Sequence, residues 1–151
     1  MNVSDLIKQY LNENYTMQLA TSVNNQPWNC NVYYLVDDEI NLYWASLPTR
    51  RHSREIAKNP KVAAAIVVNN QIGQPVIGVQ VEGRVEIVND ADQIKPIALK
   101  YAERFKRTKE WVNDFTSSKT EHKLYRLRPS LFVLFDETNF KDQPRQEWRP
   151  E

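Results

Sequence analysis

Trp44-Ala45-Ser46-Leu47-Pro48-Thr49-Arg50-Arg51-His52-Ser53-Arg54 reads as the end of an apolar strand, a tight turn and the start of a short helix. Pro48 takes the chain out of the strand, Thr49 is suited to cap the helix over 50–58, and Asn59-Pro60 stops it. Charge is the unusual feature. Arg50, Arg51 and Arg54 fall at or near the first turn, where the helix dipole is already positive. A cation there loses roughly 0.3–1 kcal/mol instead of gaining it. Two readings meet that conflict. An anion, a phosphate above all, sits at the helix start on free backbone N–H groups and arginine forks. Otherwise the arginines extend into solvent and the penalty is tolerated.

Outward from this stretch the chain alternates between periods of two and 3.6. Val3, Leu6, Ile7, Tyr10 and Leu11 predict a helix over 4–13, with Ser4 as cap. Tyr15, Met17, Leu19, Thr21 and Val23 alternate as in a strand, and Asn24-Asn25-Gln26-Pro27 turns the chain. Strands are expected over 28–36 and 39–46, joined at Asp37-Asp38, and a strand apolar on both faces over 62–68. In the strand over 76–88, Val79, Val81, Val85 and Ile87 face one way and Gln80, Glu82, Arg84 and Glu86 the other, with a bend at Gly83. Helices are predicted over 90–105 and 109–116, the second capped by Thr108. Two strands at 122–128 and 131–136, parted by Pro129, close a single domain over 1–138, and a polar tail follows over 139–151. About seven strands with hairpin-length early turns favour a mainly β, antiparallel barrel or closed sheet with peripheral helices.

Composition removes several function classes. Hydrophobic residues make up 41% of the 151, enough for one sizeable core. The net charge of +1 argues against a general nucleic-acid or membrane-surface protein, leaving only a local basic patch at 50–58. Cys30 is the sole cysteine, so no intrachain disulfide forms. The polar opening Met1–Asp5 is unlike a secretory signal, and no apolar run approaches the roughly 20 residues that span a membrane, so a cytoplasmic protein is expected. With only three glycines there is no Gly-rich dinucleotide fingerprint, so any phosphate is held by side chains and a helix terminus.

The pattern resembles the pyridoxamine 5'-phosphate oxidase-like FMN-binding split-barrel family. The resemblance runs over residues 5–136. It is carried by Met17–Thr21, Pro27–Tyr34, Leu42–Ser46 with Thr49-Arg50-Arg51-His52, Arg54–Ala63, Val79–Val85 and Tyr101–Phe105. It implies an antiparallel split β-barrel and a homodimer with FMN between the subunits. It assigns the FMN phosphate to Arg50 and Arg51, with the Thr49 and Ser46 hydroxyls nearby. Trp44 and Ala45 end the strand beside the flavin, and Asn29, Cys30 and Asn31 border the ring edge. Gln80 comes from the neighbouring subunit. Two departures stand out. The basic pair is Arg-Arg rather than the frequent Arg-Lys, which is compatible with bidentate phosphate binding. The glutamine of authentic pyridoxamine phosphate oxidases falls nearer Gly78 than Gln80, and their C-terminal substrate-binding segment is not recognisable. Small bacterial members of the superfamily are the better match, and these bind flavin, or in some branches a deazaflavin or haem.

The implied activity is that of an FMN-dependent oxidoreductase moving two electrons between a small organic substrate and flavin. The alternative is a non-enzymatic protein that stores, carries or senses flavin or haem on the same barrel. A third reading, a basic patch for single-stranded nucleic acid, uses the aromatics beside Arg50, Arg51 and Arg54 and would show steep salt dependence. The remaining candidates each carry two readings. His52 is an exposed helix residue, or a phosphate donor or proton shuttle. Cys30 is a packing residue or a nucleophile. Trp28, Tyr33, Tyr34, Tyr43 and Trp44 are core or interface, or a flavin stack. Trp148 belongs to a loose tail, or folds over a cofactor or a partner. His52 and His122 lack ligand spacing, so no metal site is expected.

Overall fold

A computed structural model describes all 151 residues. The elements run α1 (Val3–Glu13), β1 (Thr16–Val23), β2 (Gln26–Tyr33), β3 (Leu35–Val36), β4 (Leu42–Ser46), α2 (Arg51–Lys58), β5 (Lys61–Asn69) and β6 (Ile77–Val88). They continue with α3 (Ala91–Phe105), α4 (Lys109–Thr116), β7 (Lys123–Asp136) and β8 (Arg145–Trp148). All strands pair antiparallel in one sheet of order β2-β1-β5-β6-β7-β4-β3, with β8 on the far half of β7. The sheet curls into an open, split barrel.

Each long strand buries alternate residues, so the inner face closes on a core of Met17, Leu19, Trp44, Ile66, Val81, Leu127 and Phe132, plugged by Ile7 and Leu11 of α1. A second core lies on the opposite face at the β4–β7 end, where α3 and α4 cover Leu35, Tyr43, Val88 and Leu124. The alternation expected for β6 holds through Glu86, and this second layer changes only its end. Ile87 is exposed and Val88 buried, because the helices cover the outer face only at this end.

Other expectations shift for local reasons. Asn2, not Ser4, caps α1: its side chain accepts from Asp5 N–H at 2.9 Å and from the Ser4 hydroxyl at 2.8 Å. Arg50, not Thr49, holds the cap position of α2, with extended dihedrals and no side-chain capping bond. The strand expected over 28–36 divides after Tyr33, so that β2 and β3 lie at opposite edges of the sheet. The strands expected at 122–128 and 131–136 are one, since Pro129 sits at a register shift opposite Gly83, where its missing N–H breaks no regular ladder. The strand expected to be covered on both faces, β5, buries Val62, Ala64 and Ile66 but leaves Ala63 and Val67 bare. Within the polar tail, β8 pairs with β7, and Trp148 stacks on Phe132 with ring centroids 5.4 Å apart.

A buried carboxylate ties β7 to α1. Asp136 accepts from the Tyr10 hydroxyl and the Asn139 side-chain amide, each at 2.7 Å, and from the backbone N–H groups of Thr138 and Asn139. Burial alone would raise its pKa. The bonds from Asn139, Tyr10 and Thr138 outweigh burial and hold it below the ordinary value. Burial first, then the Asp136 contact, pushes the Tyr10 phenol up to about 12. A carboxylate lowered in the folded state stabilises fully above its ordinary pKa of about 3.9, and that stability fades as pH falls through the folded value. Asp136→Ala, which removes the acceptor of four donors, is expected to cost about 3 kcal/mol in urea denaturation. Asp136→Asn is expected to lose stability less steeply than the native chain as pH drops below about 4.

Candidate functional site

The start of α2 lies where β4 leaves the barrel. Arg50 N–H bonds back to Leu47 C=O at 3.2 Å, closing the turn. Because no side chain caps the helix, its first N–H groups have no capping side chain and are open to an anion. Arg50 is exposed. Arg51 is held on two sides: its guanidinium carbon lies 3.9 Å from the centre of the Trp28 ring, and its Nε donates to Glu55 Oε2 at 2.9 Å. Glu55 is fixed in turn by the Thr21 hydroxyl, which donates to Oε1 at 2.6 Å. That bond first, and the Arg51 bond second, hold the Glu55 carboxyl below its usual range, so it is ionised at neutral pH.

Beneath the turn, Ser46 Oγ and His52 Nε2 share a hydrogen bond of 2.8 Å. Burial, and then the Arg50 charge, push the His52 imidazole below its ordinary value, so it is neutral at pH 7. Ser53 is 3% exposed and its hydroxyl has no partner.

A second region lies on the outer face of the sheet. One rung runs Asn31–Gln18–Ala65–Gln80–Val133–Glu147, and the next runs Asn29–Ala20–Ala63–Glu82–Leu131. Gln18 Nε2 donates to Asn31 Oδ1 at 3.0 Å. A groove of about 420 Å³ over these rungs is lined by Gln18, Asn29, Gln80 and Arg145 on a floor of alanines. Amide side chains above small residues leave room for a flat ring and offer donors and acceptors to its edge.

The ten expected site residues thus fall in four places. Ser46, Thr49, Arg50 and Arg51 gather at the start of α2, and Asn29, Asn31 and Gln80 share the outer face. Cys30 points inward, half-buried, with its thiol pushed up by burial. Trp44 is fully buried and stacked on Tyr125, with its indole N–H unpartnered, and Ala45 packs toward α3 and α4. Sequence reasoning missed Thr21, Glu55, Ser53 and Gln18 as parts of the arrangement. The Arg51–Glu55 spacing of four was a legible signal for one of them. The Thr21–Trp28 rung was not, because it depends on strand register.

Likeness to known proteins follows the same outline. A conserved hypothetical protein of Mycobacterium tuberculosis superposes with a TM-score of 0.77 at 19% identity, covering 93% of this chain and 88% of that one. The heme storage protein HutZ of Vibrio cholerae superposes with a TM-score of 0.68 at 22% identity, over 85% and 91%. An FAD-binding protein of Mesorhizobium loti gives 0.62 at 21% identity, over 87% and 92%. At such identities the likeness is one of fold. No curated protein matches the sequence. No helix is long and apolar enough to cross a membrane. The sequence model described as pyridoxamine 5'-phosphate oxidase matches residues 3–131, the span that holds α1, the barrel strands through most of β7 and the basic start of α2, and the chain belongs to that family.

Proposed function

We propose that this chain is an FMN-dependent oxidoreductase acting on a small organic substrate, and that it works as a homodimer. The observation that carries the reading is the start of α2: Arg50 and a pre-aligned Arg51 beside an uncapped helix start. These groups fit a phosphate dianion, which answers the charge conflict.

Arg50 and Arg51 would grip the phosphate through their forks. Trp28 and Glu55 restrict Arg51 beforehand, so less rotamer freedom is lost on binding. Thr49 and Ser46 lie at the same turn. Asn29, Asn31 and Gln80 present amides to the polar edge of a ring on the outer face. Bound flavin supplies the two-electron chemistry, and no side-chain nucleophile is required. A second copy over the outer face would shield the ring from water, with its own Gln80 reaching across. The apolar side chains left bare there, Val67 and Phe135 among them, support that pairing.

Purified protein should be yellow and release FMN on denaturation, identified by mass. A Soret band would favour the haem-storage alternative. A colourless protein whose fluorescence ignores added FMN would overturn the reading. Sedimentation velocity is expected to give a dimer for the native chain and a folded monomer for Val67→Glu with Phe135→Glu. A native monomer at micromolar concentration would remove the dimer.

A further inference from the structure

The outer face of the sheet has a hollow that the chain itself does not fill. On the rung next to that of Gln80, Val67, Gly78, Phe135 and Arg145 lie side by side across β5, β6, β7 and β8. Gly78 leaves a gap between the Val67 and Phe135 side chains. A β-carbon added there would meet only the Ile66 carbonyl oxygen, at 3.5 Å. That is ordinary contact, so packing within the chain does not demand a glycine here. Gly83 on the same strand differs, since the Arg128 carbonyl leaves its β-carbon no room. Glycine inside a strand weakens it and marks the close approach of another group. At Gly78 no group of this chain makes that approach.

The loop between β5 and β6 walls the hollow. Asn69 Nδ2 donates to Pro75 C=O at 2.8 Å, and Val76 N–H donates to Glu137 Oε2 at 2.7 Å, which ties the loop to itself and to the end of β7. The space enclosed is about 680 Å³, within the range of small-molecule sites. Val67, Ile72, Val76 and Phe135 give it exposed apolar walls. Arg145 is the only charged residue that lines it. Arg145 Nη2 donates to Glu147 Oε1 at 2.8 Å, which uses one of the five guanidinium donors. The hollow shares Ala65, Gln80, Val133 and Arg145 with the ring groove, so the two spaces are continuous.

We propose that this hollow takes an organic acid with a flat apolar body, the body lying over Gly78 between Val67 and Phe135 and the carboxylate on Arg145. The walls favour burial of hydrocarbon, and the guanidinium fork matches a carboxylate. This names the substrate class of the flavin site, and the role as a substrate site rests on the flavin reading.

The test is equilibrium dialysis of the native chain, with and without FMN, against naphthoate and against naphthylmethanol, its neutral counterpart. Naphthoate is expected to bind about tenfold more tightly than the alcohol, the effect of one charge-assisted contact. Arg145→Gln, at an exposed position, is expected to bring the two dissociation constants within about twofold. Gly78→Leu fills the hollow and is expected to lose both ligands while FMN affinity stays within about twofold of native. Gly78→Ala, a smaller filling, is expected to weaken naphthoate several-fold and serves if the leucine variant does not fold. Equal binding of acid and alcohol by the native chain overturns the proposal, as does native naphthoate affinity in folded Gly78→Leu. A parallel loss of FMN and naphthoate in that variant places the acid in the ring groove and also overturns it. A native dimer that ignores naphthoate and turns monomeric in Gly78→Leu gives the hollow to the second copy, with the same consequence. Naphthoate bound by a chain that ignores FMN upholds the acid site and removes the flavin reading, whereas FMN binding without naphthoate binding removes this proposal alone.

Discussion

Arg50→Ala with Arg51→Ala is expected to abolish FMN binding at micromolar concentrations while the barrel stays folded. Each charge-assisted contact to a phosphate contributes about 1.5–3 kcal/mol, so losing two weakens binding roughly a hundredfold to ten-thousandfold. The fold should survive because neither guanidinium is part of a core. Arg50 is exposed, and loss of the Arg51 contact with Trp28 costs at most about 1 kcal/mol. Glu55 keeps its bond from Thr21 in the variant. Flavin fluorescence titration with a circular dichroism melt checks both halves. Native affinity in a folded double variant would show that the phosphate is held elsewhere. Arg51→Lys separates charge from geometry, since lysine keeps the cation but not the planar fork over Trp28. An intermediate loss is expected.

Gly83→Ala is expected to be the most damaging small substitution in the sheet. A β-carbon there would run into the carbonyl oxygen of Arg128 and lie 2.7 Å from Leu127 Cδ1. The clash with backbone cannot be relieved by rotating a side chain. It falls at the register shift that admits Pro129, so β6 and β7 must part at their longest pairing. The cost is about 3 kcal/mol, lowering the melting temperature by about 6–12 °C. Gly78→Ala on the same strand is the control. Its added carbon meets only Ile66 C=O at 3.5 Å, and it should change stability by less than about 0.5 kcal/mol. Equal melting temperatures for the two variants would show that the bulge relaxes freely.

Local signals made much of this molecule legible. The 3.6-residue spacing of Leu6, Ile7, Tyr10 and Leu11 marks α1. Thr108 caps α4 as its position suggests, accepting from Trp111 N–H at 3.0 Å. The apolar strand, turn and basic helix at 44–58 show where positive charge gathers before any contact is known. These features are short-range: propensity, capping and period act within a few residues, so sequence neighbours suffice to determine them.

Long-range pairing decided the rest. Two adjacent residues, Ile87 and Val88, exchange burial because α3 and α4 cover one end of the outer face and not the other. Tyr34 separates two strands that lie at opposite edges of the sheet, and Trp148 finds its place only because β7 extends far enough to pair with β8. Thr21, on β1, locks the Glu55 that holds Arg51, a contact spanning 34 positions in the chain. The sequence by itself determined the helices, most strand segments and where positive charge concentrates. The tertiary structure alone decided which faces are covered and which side chains meet around that charge, because strand register and sheet curl depend on partners distant along the chain.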